Sequence, residues 1–211
     1  MIACPLCKSK RHEQYCKDKN REYLQCLTCG LVFVPPEFYL RIEDEKAEYD
    51  LHTNSPDDIG YRRFLSRLFD PIVERLKPGA KGLDFGSGPG PTLSVMFEEA
   101  GFSMSIYDVF YADHKNVFEE KFDFITTSET VEHLHQPFEE LQRLWGCLKP
   151  GGMLGIMTKL VKNGDAFKGW HYKNDMTHVC FFSRDTFQWL AEELQADVEF
   201  IGNDVILFTK S

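Results

Sequence analysis

The stretch Leu83-Asp84-Phe85-Gly86-Ser87-Gly88-Pro89-Gly90 constrains this chain more than any other feature. It follows a short strand pattern, Lys81 to Phe85. It precedes a helical pattern that starts near Pro91 and ends at Gly101. Glycines at such a junction let the backbone turn sharply and approach a ligand without Cβ clashes. The helix that follows offers N–H groups with no partner inside the helix. Open α/β sheets bind ligands at turns of this kind. The spacing is not G-x-G-x-x-G: the third glycine is at 90 rather than 91, and Pro89 and Pro91 intervene. That departure argues against a pyrophosphate-binding, NAD-type dehydrogenase.

The surrounding pattern makes residues 59–211 an α/β domain. Ile59 to Leu76 repeats apolar residues at helical spacing and stops at Pro78-Gly79. Strands are expected at Ser103–Tyr107, Phe122–Thr126 and Met153–Thr158, with a helix over Pro137–Leu148. Ser183 is placed to cap a helix running to about Leu194, and Val198–Ile201 and Val205–Thr209 flank Gly202-Asn203-Asp204 as a closing hairpin. Alternating strands and helices predict a parallel sheet. Asp108 closes the second of these strands, eighteen residues past Gly90, where an acid can accept both hydrogen bonds of a ribose diol.

The first 36 residues are a different unit. Cys4-Pro5-Leu6-Cys7 and Cys26-Leu27-Thr28-Cys29 are separated by the eighteen residues 8–25. This is the C-x₂-C…C-x₂-C spacing of a zinc site, and four thiolates make a closed, structural tetrahedron. Two redox dithiols are the competing reading; Cys16 is off the pattern. Residues 37–58, rich in Glu and Asp, read as an acidic linker.

Charge and composition narrow the function classes. The formal net charge is −9, against nucleic acid as a general partner. Residues 1–34 nonetheless carry Lys8, Lys10, Arg11, Lys17, Lys19 and Arg21 against Glu13, Asp18 and Glu22, so a basic tip touching an anionic partner stays open. The chain is 43% hydrophobic with 18 Phe, enough for a core. No apolar run reaches the roughly 18 residues of a membrane span, and MIACPLCKSK has no secretory apolar region, so a cytoplasmic protein is expected.

Together these motifs resemble the class I S-adenosylmethionine (SAM)-dependent methyltransferases over about residues 59–211. Asp84 to Gly90 looks like their first motif, and Asp108, followed by Val109, like their ribose-binding acid. Phe122-Asp123-Phe124-Ile125-Thr126-Thr127-Ser128-Glu129 looks like their fourth strand and its outlet, and Leu148-Lys149-Pro150-Gly151-Gly152 like the turn before their fifth. The resemblance implies a Rossmann-like sheet of seven strands with helices on both faces, or of six, since only Val109 to Lys121 lies where a third strand and the adenine-covering residues belong. Phe110, Val117 and Phe118 are the apolar candidates to cover adenine. The implied cofactor contacts are Asp84, Phe85, Gly86, Ser87, Gly88, Gly90, Asp108, Val109, Thr127, Ser128 and Glu129.

Glu129-Thr130-Val131-Glu132-His133-Leu134 and Trp170 to Val179 resemble acceptor-side segments of the small-molecule, ubiquinone-biosynthesis-like members. His133, His171 and His178 are the candidates for positioning an acceptor or taking its proton. The first 36 residues resemble the zinc ribbons found ahead of several methyltransferases, with Cys4, Cys7, Cys26 and Cys29 as ligands of a structural Zn²⁺. The expected activity is methyl transfer to a small molecule. Methylation of RNA or protein with the ribbon as reader, and a non-catalytic scaffold, are the alternatives.

Overall fold

The computed structural model describes residues 2–51 and 54–211. In chain order the elements are β1 (His12–Lys17), β2 (Glu22–Cys26), β3 (Val32–Phe33), α1 (Ile42–Tyr49), α2 (Ile59–Val73), β4 (Lys81–Phe85), α3 (Thr92–Glu99), β5 (Ser103–Tyr107), β6 (Phe122–Ser128), α4 (Pro137–Cys147), β7 (Leu148–Met157), α5 (Gly164–Lys168), β8 (Cys180–Phe181), α6 (Arg184–Leu194), β9 (Ala196–Ile201) and β10 (Val205–Lys210).

The larger sheet has six strands in the order β5-β4-β6-β7-β10-β9. Strands β4 to β7 run parallel, and β10 is antiparallel to both its neighbours. The seven-stranded expectation is corrected to six among the described residues. The segment after Asp108 forms an isolated bridge, Asp108 to Ala112, and a 3-10 turn at Lys115–Glu119 in place of a strand. Fourteen residues between β5 and β6 are too few for the helix and strand that a further parallel crossover requires.

Side chains alternate across the sheet, as a period of two demands. On one face Phe124, Met153, Val205 and Leu207 pack with Leu65, Leu68 and Ile72 of α2 and Leu93, Met96 and Phe97 of α3. On the other, Ile125, Leu154, Ile156, Ile206 and Phe208 pack with α4 and α6. Asp58 caps α2 by accepting from the Gly60 and Tyr61 N–H groups, and Ser183 caps α6 by accepting from Thr186 N–H at 3.1 Å.

The second sheet, β1-β2-β3-β8, is antiparallel. Its last strand comes from the α/β segment, paired Val32 to Phe181 and Phe33 to Cys180. The apolar residues of the N-terminal unit, among them Leu6, Tyr23, Leu31, Val32 and Phe33, are continuous with the core on the α4/α6 face. The acidic stretch expected as linker holds α1, a polar helix with no buried residue.

Candidate active site

All four parallel strands end at one rim, where the order reverses between β4 and its neighbours; ligands bind in crevices of this kind. From the end of β4 the chain turns through Gly86, which has φ +75°; a Cβ there would meet the Thr130 side chain at 2.3 Å. Only glycine fits both constraints. Gly88 N–H donates to Asp108 Oδ2 at 2.9 Å, while Phe110 and Tyr111 N–H donate to Asp108 Oδ1 at 2.9 and 3.2 Å. The carboxylate is thereby fixed at the end of β5, and Oδ2, which accepts a single N–H, keeps a second lone pair for a ligand hydroxyl.

A cleft of about 930 Å³ runs along this rim. Phe85, Gly86, Ser87, Gly88, Asp108, Val109, Ser128 and Glu129 line it, with His133 and His178 further along. Tyr49 of α1 lies across it, its ring 5.3 Å from that of His133 and 5.6 Å from that of Phe110. Asp50 ties the end of α1 to the rim by accepting from Tyr111 Oη at 2.7 Å.

Other expected residues fall outside the cleft lining. Asp84 is buried beneath the turn and accepts from Thr126 Oγ1 at 2.9 Å; burial pushes its carboxyl up to about 7. Gly90 backs onto the Asn54 carbonyl, which a Cβ would meet at 2.2 Å. Thr127 is fully buried. His171 is exposed, 3.3 Å from Lys159 Nζ, and does not share the cleft with the other two imidazoles. Of the three adenine-side candidates, Phe110 lines the cleft. Val117 is core, and Phe118 packs on Tyr107 at a ring distance of 4.7 Å.

Behind Glu129 on the far wall lies a buried polar network. Tyr172 Oη contacts Glu132 Oε1, Glu129 Oε2 at 3.3 Å and Thr158 Oγ1 at 3.3 Å, and Thr158 Oγ1 donates to Glu132 Oε2 at 3.1 Å. Burial pushes both carboxyls up. Glu129 leaves β6 with φ +47°, a conformation non-glycine residues seldom adopt, and such strain gathers at functional sites. His178 lies 4.6 Å from His133 ring to ring, and burial lowers its pKa to about 4, so it is neutral at physiological pH.

The N-terminal unit holds this wall in place. Arg21, 1% exposed, donates to the carbonyls of Met176 at 3.1 Å, Lys173 at 2.8 Å and Asp175 at 2.7 Å, and through Nε to Tyr23 Oη at 3.0 Å. Asp18 pairs with the buried Lys173 at 2.5 Å. Val34 N–H donates to Val179 O, and Val179 N–H to Glu132 O. Sequence reading missed this brace, for which no local pattern exists. It also missed Tyr49, whose one signal is an aromatic ring at the end of an otherwise charged helix.

The four paired cysteines converge. Cys4 Sγ is 3.6 Å from Cys29 Sγ, Cys7 Sγ is 3.3 Å from Cys26 Sγ, and all four sulfurs lie within 4.8 Å of one another. Each pair is followed by a left-handed residue, Lys8 at φ +58° and Gly30 at φ +74°, so the two turns are built alike.

The parallel sheet, the glycine turn and the acid closing the next strand are those of the SAM-dependent methyltransferase fold. The profile of the family described as "Methyltransferase domain" matches residues 59–199, and the chain belongs to that family. Among solved structures, a SAM-dependent methyltransferase from Archaeoglobus fulgidus aligns at 18% identity over 71% of this chain and 94% of its own, with a TM-score of 0.55. Magnesium protoporphyrin IX methyltransferase from Synechocystis PCC 6803, solved with bound S-adenosylhomocysteine (SAH), aligns at 10% identity over 80% of this chain and 94% of its own, with a TM-score of 0.53. No curated protein matches significantly. Among the described residues no helix is long and apolar enough to cross a membrane.

Proposed function

We propose that this chain methylates a small molecule held between the Asp108 and His178 ends of the cleft, with SAM as methyl donor. The observation that carries the reading is the cleft itself, with cofactor-type groups at one end, a polar wall at the other and α1 above. Two buried oxygens without a hydrogen-bond partner, Ser87 Oγ and Glu129 Oε1, belong to residues of its walls and suit a polar ligand. SAM, when bound, supplies an electrophilic methyl on a sulfonium sulfur. Asp108 Oδ2 accepts from a ribose hydroxyl and the glycine turn admits the cofactor backbone. His133, His178 and Glu129 orient the acceptor's oxygen or nitrogen and accept its proton, and Tyr49 and α1 exclude water.

The charge around the cleft favours a small acceptor over RNA. Helix α1 carries Glu43, Asp44, Glu45 and Glu48 at the entrance. Arg21, counted with the basic tip, is consumed inside the molecule, and Lys8 pairs with Glu139 at 3.1 Å. Calorimetric titration of SAM and SAH into the purified chain tests the reading: micromolar binding of both is expected, and a folded protein that binds neither removes it.

The cysteine cluster fits Zn²⁺, since bonds of about 2.3 Å in a tetrahedron separate sulfurs by about 3.8 Å. Zinc at Cys4, Cys7, Cys26 and Cys29 supplies structure: it locks the two turns from which β1 to β3 hang, and so the brace on the acceptor wall. One zinc per chain is expected in freshly purified protein and none in Cys26→Ser. Metal analysis finding no zinc in the parent protein would remove the ribbon from this account.

A further inference from the structure

At the acceptor end of the cleft, Glu132, His133 and His178 bring a carboxylate oxygen and two imidazole nitrogens within 4.8 Å of one another. The backbone arranges this. Glu132 and His133 lie on the 3-10 turn Val131–His133 that leaves β6. His178 arrives from the loop that Arg21 holds, one residue before the Val179 N–H that bonds Glu132 O at 2.8 Å.

Proximity is not the only observation. His178 Nδ1 lies 2.7 Å from the Tyr172 carbonyl oxygen, so Nδ1 carries the proton and Nε2 presents a lone pair. A ring N–H anchored on a backbone carbonyl is the usual support of a metal-ligating histidine. Glu132 is fully buried and steadied by the Thr158 and Tyr172 hydroxyls, as ligating carboxylates are. Two more carboxylates stand beside the cluster. Asp175 Oδ2 is 3.6 Å from His178 Nε2, and the partnerless Glu129 Oε1 belongs to the group that shares Tyr172 Oη with Glu132. Among the described residues neither nearby cation is ion-paired to these acids: Arg67 pairs with Asp204, and Lys159 lies 4.9 Å from the centre of the Tyr172 ring and 3.3 Å from His171 Nε2.

We propose that Glu132, His133 and His178, with Glu129 beside them, bind a divalent first-row transition-metal ion. Two imidazoles and a carboxylate suit Mn²⁺, Fe²⁺, Co²⁺ or Zn²⁺ rather than the all-oxygen shells of Mg²⁺ and Ca²⁺. Ligands about 2.0–2.2 Å from one ion lie roughly 3–4 Å apart, so side-chain rotation closes the set. Three protein ligands leave positions open toward the cleft. The inference rests on the methyltransferase reading for its consequence: the acceptor is a hydroxyl compound bound through oxygen, with its O–H made more acidic by the ion, and the histidines then hold the ion while the proton passes to Asp175 on the cleft wall.

The test is a titration of Mn²⁺ into the full, zinc-loaded chain, followed by the electron paramagnetic resonance of free Mn²⁺. Thiolates select zinc, so Mn²⁺ leaves the ribbon alone. One bound ion per chain is expected, weakened at least about 10-fold in His178→Ala and in His133→Gln. Circular dichroism confirms that each variant is folded, and the isosteric Glu132→Gln serves where His178→Ala is not. A folded parent that binds Mn²⁺ no better than millimolar, or folded variants that keep its affinity, overturns the site. SAH calorimetry on the same samples separates the two readings: SAH binding without Mn²⁺ removes the metal alone, and Mn²⁺ binding without SAH removes the methyltransferase reading alone.

Discussion

Asp108→Ala is expected to weaken SAH binding about 100-fold. A charged carboxylate hydrogen bond contributes roughly 1.5–3 kcal/mol, and the ribose loses the one that Oδ2 accepts. The change also frees the Gly88, Phe110 and Tyr111 N–H groups that this side chain gathers, so the turn and the segment after β5 lose their common anchor. Asp108→Asn keeps an acceptor oxygen but sets an amide against N–H donors, and is expected to fall between the two. Calorimetry on the folded variants decides it: an Asp108→Ala affinity within a few-fold of the parent would displace the cofactor from this end of the cleft.

Arg21→Ala should be the most damaging single change in the N-terminal unit. It leaves the Met176 carbonyl without its donor and reduces the Lys173 and Asp175 carbonyls to long bonds from Tyr23 Oη at 3.3 Å and His178 N–H at 3.4 Å, in a site closed to water. The cost is about 3–5 kcal/mol, a fall of roughly 10 °C in melting temperature for a chain of this size. Hydrogen exchange locates the damage: protection is expected to drop across 172–181 and to persist in β4 to β7. Arg21→Lys recovers little, because an ammonium cannot span three carbonyls as the guanidinium fork does. Uniform loss of protection, or none, would contradict the brace.

The parts of this molecule that a sequence displays are those that local chemistry dictates. The strands β4, β5 and β6, the glycine turn and the Ser183 cap all announce themselves within a few residues, because periodicity and turn residues act locally. The missing third strand was readable as a shortage of chain between Asp108 and Phe122. What stayed hidden depends on pairing at a distance. Nothing in Val179-Cys180-Phe181-Phe182 distinguishes a strand of the N-terminal sheet from one of the central sheet. Arg21 looks like any of the lysines around it until its carbonyl partners, some 150 residues away, are known. His171 and His178 sit in the same aromatic segment; only the fold shows that one faces water and the other the cleft.

The pairing of β3 with β8 also bears on the order in which the molecule assembles. During synthesis the two cysteine turns leave the ribosome before the α/β segment, and they can come together at once because their contacts are local. Their sheet cannot be finished until residues 180–181 arrive, nearly 150 residues later. Closing so long a loop is slow, and contacts of high sequence separation form late. The N-terminal sheet therefore stays unfinished until most of the α/β domain has been made. Until then the edge of β3 and the buried faces of Val32 and Phe33 stand open, the kind of surface through which nascent chains stick to one another.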